Sequence, residues 1–154
     1  MDKFKSFLTF HNYFVDDLVF KRNLNYQKEI DSDVVKCKFN IGYHSTSEEN
    51  KLLVSVTTQL FDDSFSEEEN PFYLYLTVSG LFEFNQDENM DKKISDKVLK
   101  ANSIAILFPY IRSIITNITA SANIPPVVMP PVNTYKLIQF NETQETIKST
   151  KNSD

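Results

Sequence analysis

The strongest constraint in this sequence is a change of period. From residue 35 to residue 84 apolar side chains fall on every second position; from residue 98 they fall at helical spacings. Val35, Cys37, Phe39, Ile41 and Tyr43 alternate with Lys36, Lys38 and Asn40. Leu52, Val54, Val56 and Leu60 are set against Ser55, Thr57 and Gln59, and Phe72, Leu74, Leu76, Val78, Gly80, Phe82 and Phe84 form the longest set. Side chains of a strand point to opposite faces in turn, so each run reads as a strand with one buried face. An earlier strand is expected between residues 7 and 20. The breaks at 23–33, 44–50, 62–70 and 85–96 are rich in Asp, Glu, Asn, Ser and Lys. Such polar links between successive strands predict an antiparallel meander. The Glu67-Glu68-Glu69 run in one break reads as a solvated hairpin tip rather than a cation site.

The helical segment carries Val98, Leu99, Ile104, Leu107, Phe108, Ile111, Ile114, Ile115 and Ile118. Asn102 or Ser103 is a suitable N-cap. Pro109 lacks an amide donor, so the helix is expected to start near it or kink there. Ile104, Leu107, Ile111, Ile114 and Ile118 make one face, and Phe108, Ile115 and Ala122 widen it. Each exposed Ile or Phe forfeits about 1.5–3 kcal/mol of burial. One sheet covers one stripe, so these five residues are expected to meet a second copy of the chain. The following segment, 124–133, holds four of the six prolines together with Ile124, Val127, Val128, Met129 and Val132. It reads as a stiff, extended apolar loop, either packed on the core or forming one wall of a groove. Asn133 or Thr134 can cap a short second helix through Leu137 and Ile138. The chain reads as one domain over 1–140 with a polar tail over 141–154.

Several function classes are disfavoured. Sixteen basic against twenty-one acidic residues give a net charge of −5, the wrong sign for a general nucleic-acid binder. Two glycines leave no phosphate-cradling loop, and one cysteine leaves no disulfide framework. Neither His11 nor His44 is tied by any motif to Cys37, which reads as a small strand-face residue. No nucleophile, metal or dinucleotide motif is present, so a non-enzyme without cofactor or metal is expected. The stretch 104–118 is interrupted by Pro109 and Arg112 and reads as too short to span a bilayer. Those features predict a cytoplasmic protein that does not insert into membranes.

Leu107-Phe108-Pro109-Tyr110-Ile111-Arg112 resembles the helix signature of the SecB export chaperone family. Pro131-Val132-Asn133 resembles the end of that family's crossover loop, and Gly80-Leu81-Phe82 its Gly-Ile-Phe or Gly-Val-Phe segment. The similarity spans residues 10–138. It implies an α+β fold: a four-stranded antiparallel sheet with a long C-terminal helix packed on one face. It also implies a homotetramer, a dimer of dimers, acting as an ATP-independent holdase that keeps non-native polypeptides or preproteins unfolded for export. By position, the client groove would take Val35, Cys37 and Phe39 from the second strand and Ile124, Val127 and Met129 from the loop. Asp17 matches one acidic position through which the family meets the translocase motor SecA; Lys21 and Tyr75 depart from two others. A dedicated chaperone for one partner, such as the antitoxin of a toxin–antitoxin pair, fits the same residues. So does a carrier of a small apolar ligand.

Overall fold

The computed structural model describes residues 8–65, 70–85 and 92–141. Four strands, β1 (Leu8–Arg22), β2 (Cys37–Ser45), β3 (Lys51–Leu60) and β4 (Phe72–Phe84), precede a long helix, α1 (Lys92–Ser121). A short helix, α2, runs over residues 134–141. The acidic run 67–69 and the tail 142–154 lie outside the described residues.

All strand pairs are antiparallel, in the order β1-β4-β3-β2. Only β2, β3 and β4 form the expected meander. β1 lies beside β4, so the 23–36 connection carries the chain from one edge of the sheet to the other in Greek-key order. This pairing is non-local, and hydrophobic periodicity carries no information about it. Strand extents follow the alternation closely. Leu74, Leu76 and Val78 of β4 and Val54, Val56 and Leu60 of β3 have no exposed surface. The opposite face carries polar ladders: Ser55 hydrogen-bonds Ser79, which donates to Asp16, and Thr57 bonds Thr77.

The helix lies over β4, β1 and β3. It begins at Lys92, well before the expected caps. Ser103 is inside it, its hydroxyl bonded back to the Leu99 carbonyl at 2.7 Å. Pro109 is also interior. Its ring nitrogen has no hydrogen to donate to the carbonyl of Ala105, and Pro109 and Ala105 are both exposed, so that side of the helix is open to solvent. The helix ends in a Schellman motif: Asn123, at φ 60°, donates to Ala120, and Ile124 donates to Thr119. Asparagine tolerates this left-handed conformation better than most residues.

Two sequence expectations for α1 need correction. Ile104, Leu107 and Ile111 are fully buried within the single chain and have no surface left for a second copy. The sheet takes one stripe, while Val127 and Met129 of the crossover loop and the rings of Phe10 and Tyr13 of β1 take more of the apolar set. Ile114 and Ile118 alone of the five stay partly exposed. In length and composition Asp96–Ser121 does suffice to cross a bilayer, contrary to the reading from sequence. Its packed face makes it the core helix of this domain.

Gly80 sets the approach of helix to sheet. A Cβ there would lie 2.6 Å from Leu107 Cδ2 and 2.7 Å from Phe82 Cε2. Phe82 and Leu107 are themselves fully buried and have little room to yield. Gly80→Ala is therefore predicted to cost about 1–3 kcal/mol of stability. A lowered urea midpoint with unchanged slope would bear this out; an unchanged midpoint would show that the helix shifts freely.

Candidate functional site

β2 is an edge strand, and its outer side is where the fold stays open. A cleft of about 610 Å³ wraps this edge. β2 supplies Cys37, Lys38, Phe39 and Asn40, and α2 supplies Leu137, Phe140 and Asn141. Gln59 of β3 and Tyr75 of β4 extend it over the outer sheet face. Phe140 is 61% exposed, an unusual state for a phenylalanine on a packed helix.

The helix that walls the cleft is held from both ends. Asn133 caps α2, its side-chain oxygen accepting from the Lys136 amide at 3.1 Å. At the other end Asn141 uses both halves of its carboxamide on Ile41, accepting from the N–H and donating to the C=O, each at 3.4 Å. That side chain occupies one strand-pairing position on the β2 edge. Asn141 was expected to begin the polar tail; instead it closes the domain. Ile138 between these anchors is buried.

A second cleft, of about 340 Å³, lies at the other end of the crossover loop. Arg22, Tyr26, Lys28 and Ile30 form one side, Pro71 and the Ala122–Asn123–Ile124 turn the other. Between the two clefts the loop is pinned to α1. Thr119 Oγ1 accepts from the Val127 amide at 2.9 Å, and Thr116 Oγ1 donates to the Val127 carbonyl at 2.8 Å. These bonds fix which side of the extended loop faces in.

The expected groove residues separate accordingly. Cys37 and Phe39 line the larger cleft, Phe39 with its ring centroid 6.0 Å from that of Phe108. Ile124 lines the smaller cleft. Val35 is half-buried against the core and lines neither cleft. Val127 and Met129 are buried core residues, a correction to their expected place on a groove wall. The outward residue is Val128, 69% exposed. An extended loop alternates sides as a strand does, but its parity comes from the two threonine anchors on α1, which proline spacing does not reveal. Phe140 is a further lining residue; from sequence only Leu137 and Ile138 are expected on the short helix.

The site offers little for covalent chemistry. Cys37 is exposed as a residue, yet desolvation of its sulfur pushes the thiol up to about 12, so it stays protonated and weakly nucleophilic near neutral pH. His44 is seven residues along the same strand, roughly 23 Å away. His11 sits on β1, at the opposite edge of the sheet, paired with Glu83 at 2.7 Å. Among the described residues no group of three or more His, Cys, Asp or Glu side chains could hold a metal ion.

The outer sheet face differs from the acidic surface that the resemblance implies. Asp17 is exposed there and pairs in register with Thr77, but Lys21 pairs with Tyr73 and Val19 with Tyr75. The two tyrosine rings stack at 6.4 Å. Partial burial, then the nearby Asp63, Tyr75 and Asp17, hold the Tyr73 phenol above its ordinary range.

The family model for preprotein translocase subunit SecB matches residues 3–145. An uncharacterized protein of Methanocaldococcus jannaschii is 36% identical over 136 residues, covering 84% of this chain and 81% of its own. The protein-export protein SecB of Neisseria meningitidis is 29% identical over 108 residues, covering 70% of this chain and 65% of that protein. SecB of Anaplasma phagocytophilum is 28% identical over 81 residues, covering 53% and 51%. The chain thus spans only about half to two thirds of these named export proteins. Among solved structures, a SecB-like chaperone of Mycobacterium tuberculosis, in complex with a peptide from an antitoxin, superposes with a TM-score of 0.60. That likeness covers 81% of this chain and 87% of the other at 12% identity, and so speaks to fold alone.

Proposed function

The chain belongs to the SecB family, and on that premise we propose that it is an ATP-independent chaperone that holds non-native polypeptides unfolded. The observation that carries this reading is the open apolar surface beside the crossover loop: Phe140, Val128 and the cleft walls of Cys37 and Phe39. An unfolded chain exposes apolar side chains whose burial has no directional requirement, so one such surface serves many sequences. The magnitudes favour holding over tight capture. Covering two or three residues such as Phe140 and Val128 returns about 3–9 kcal/mol. Association itself costs an estimated 4–15 kcal/mol. A single site is therefore weak and reversible, and a client is retained by wrapping over several sites on several copies. No bond-breaking step or nucleotide is needed for release.

The same premise supports a homotetramer, a dimer of dimers, but with contacts shifted from those expected. The outer edge of β1 is fifteen residues long and has no strand neighbour among the described residues. Phe14, Val15 and Leu18 on it are each more than 40% exposed. Unpaired backbone and apolar side chains together make this edge the natural meeting place of two copies. Ile114 and Ile118, with Ile106, add partly exposed apolar surface on α1.

Family membership supports a role in preprotein export in the cytoplasm, and the outer face supports a narrower one. Lys21, Tyr73 and Tyr75 stand on the face suited to motor docking beside Asp17, Asp16 and Asp63, which makes it less acidic than the resemblance implies. This change favours a chaperone dedicated to one partner, as in the antitoxin-peptide complex of the mycobacterial relative, over a general servant of SecA.

Stoichiometric protein should suppress light scattering by an aggregating unfolded polypeptide, with or without ATP. Phe140→Asp should weaken that suppression roughly tenfold while circular dichroism and melting temperature hold. Full suppression by the variant would remove Phe140 from the site, and none by the parent protein would reject the chaperone reading. Leu18→Asp should lower the mass of the assembly measured by light scattering; an unchanged mass would place the contact elsewhere.

A further inference from the structure

Opposite charges stand symmetrically about Val19 in β1: Asp17 before it and Lys21 after it, with Leu18 and Phe20 between. Asp17 and Lys21 are exposed and share the outer face, in register with Thr77 and Tyr73 of β4. Leu18 and Phe20 share the helix face, in register with Leu76 and Leu74, and Leu18 is 41% exposed. From Asp17 to Arg22 the strand runs without a register shift, whereas its N-terminal part is broken by two. Bulges bend and twist an edge, so the regular backbone on which a further strand can be laid is the segment from Asp17 to Arg22.

We propose that β1 pairs antiparallel with β1 of a second copy in the one register that sets Val19 opposite itself. The inference rests on the reading of this edge as the meeting place of two copies and specifies its register. A two-fold axis perpendicular to the sheet keeps every side chain on its own face. Residues directly opposite in an antiparallel pair also share a face. The axis must then pass beside one self-paired residue. Centring on Asp17, Lys21 or Arg22 sets a charge against its own copy, which is destabilising. Centring on Leu18 sets Asp17 against Val19; centring on Phe20 sets Lys21 against Val19 and Arg22 against Leu18. Centring on Val19 sets Asp17 against Lys21 and Leu18 against Phe20, each twice by symmetry. Exposed ion pairs are weak and screened by salt, so Leu18 and Phe20 supply the burial and the charges select the register. A strand of other sequence leaves those charges unmatched, so the pattern closes this edge to strangers while admitting a copy.

The test reverses these charges in the full chain and follows the mass of the assembly by light scattering over a dilution series. Asp17→Lys and Lys21→Asp each set like charges opposite one another twice per interface, and each should raise the concentration of half-dissociation roughly tenfold. The double variant Asp17→Lys, Lys21→Asp should return to within roughly threefold of the parent. An equimolar mixture of the two single variants, one of them isotopically labelled, should form mixed pairs in native mass spectrometry. In a Cys37→Ser background, Val19→Cys should cross-link two copies on mild oxidation, whereas Leu18→Cys should not. Single reversals without effect, a double variant no better than the singles, or a cross-link through Leu18→Cys in place of Val19→Cys would overturn the register and leave the meeting of copies at this edge standing. A parent protein that stays a single copy at every concentration would overturn both.

Discussion

The seating of α1 over the centre of the sheet is the interaction on which the other features depend. It buries Ile104, Leu107, Ile111 and Ile115 against the even-numbered residues of β3 and β4. It needs a missing side chain at Gly80, where any Cβ would strike Leu107 and Phe82. Once the helix is placed, its Thr116 and Thr119 hydroxyls dictate the path of the crossover loop through Val127. The loop in turn delivers α2 to the free edge of β2, where Asn141 completes the connection. Each step fixes the next, so the open clefts at the two ends of the loop follow from the buried helix.

Much of this was legible in the residues because burial imposes a period. Alternation at 72–84 matches β4 at both ends, and the cap at Asn133 has the side-chain chemistry its position requires. The family resemblance rested on Leu107 to Arg112 and on Pro131-Val132-Asn133, segments that prove to be the core of α1 and the cap of α2. What could not be read was set by partners distant in the chain. The position of β1 beside β4 depends on a pairing across some sixty residues, as between Leu18 and Leu76. The inward turn of Val127 and Met129 and the outward turn of Val128 depend on two helix threonines. The apolar excess of α1 looked like an assembly surface because the coverage by the loop and by Phe10 and Tyr13 was invisible.

The surface that remains apolar is accordingly displaced from the helix to edges and to the loop. Phe14, Val15 and Leu18 lie on one sheet edge, Phe140 beside the other, and Val128 between the clefts. Monomeric proteins cover edges with charge, proline or short strands. Here β2 is blunted at one point by a carboxamide, and β1 by Asp16, Asp17, Lys21 and Arg22 and by two register shifts, while Phe14, Val15 and Leu18 stay exposed on it. This distribution is what the proposed function draws on, with copies joined along one edge and extended chains adding backbone pairing to side-chain burial at the other.

The most direct test of this division is hydrogen–deuterium exchange on the protein with and without a permanently unfolded polypeptide. Binding should slow exchange at the amides of β2 and α2, where the edge and the cleft meet, and leave the already protected centre of β4 unchanged. A complex that forms without any protection in β2 or α2, or a polypeptide that the protein ignores, would contradict the assignment of that edge to clients.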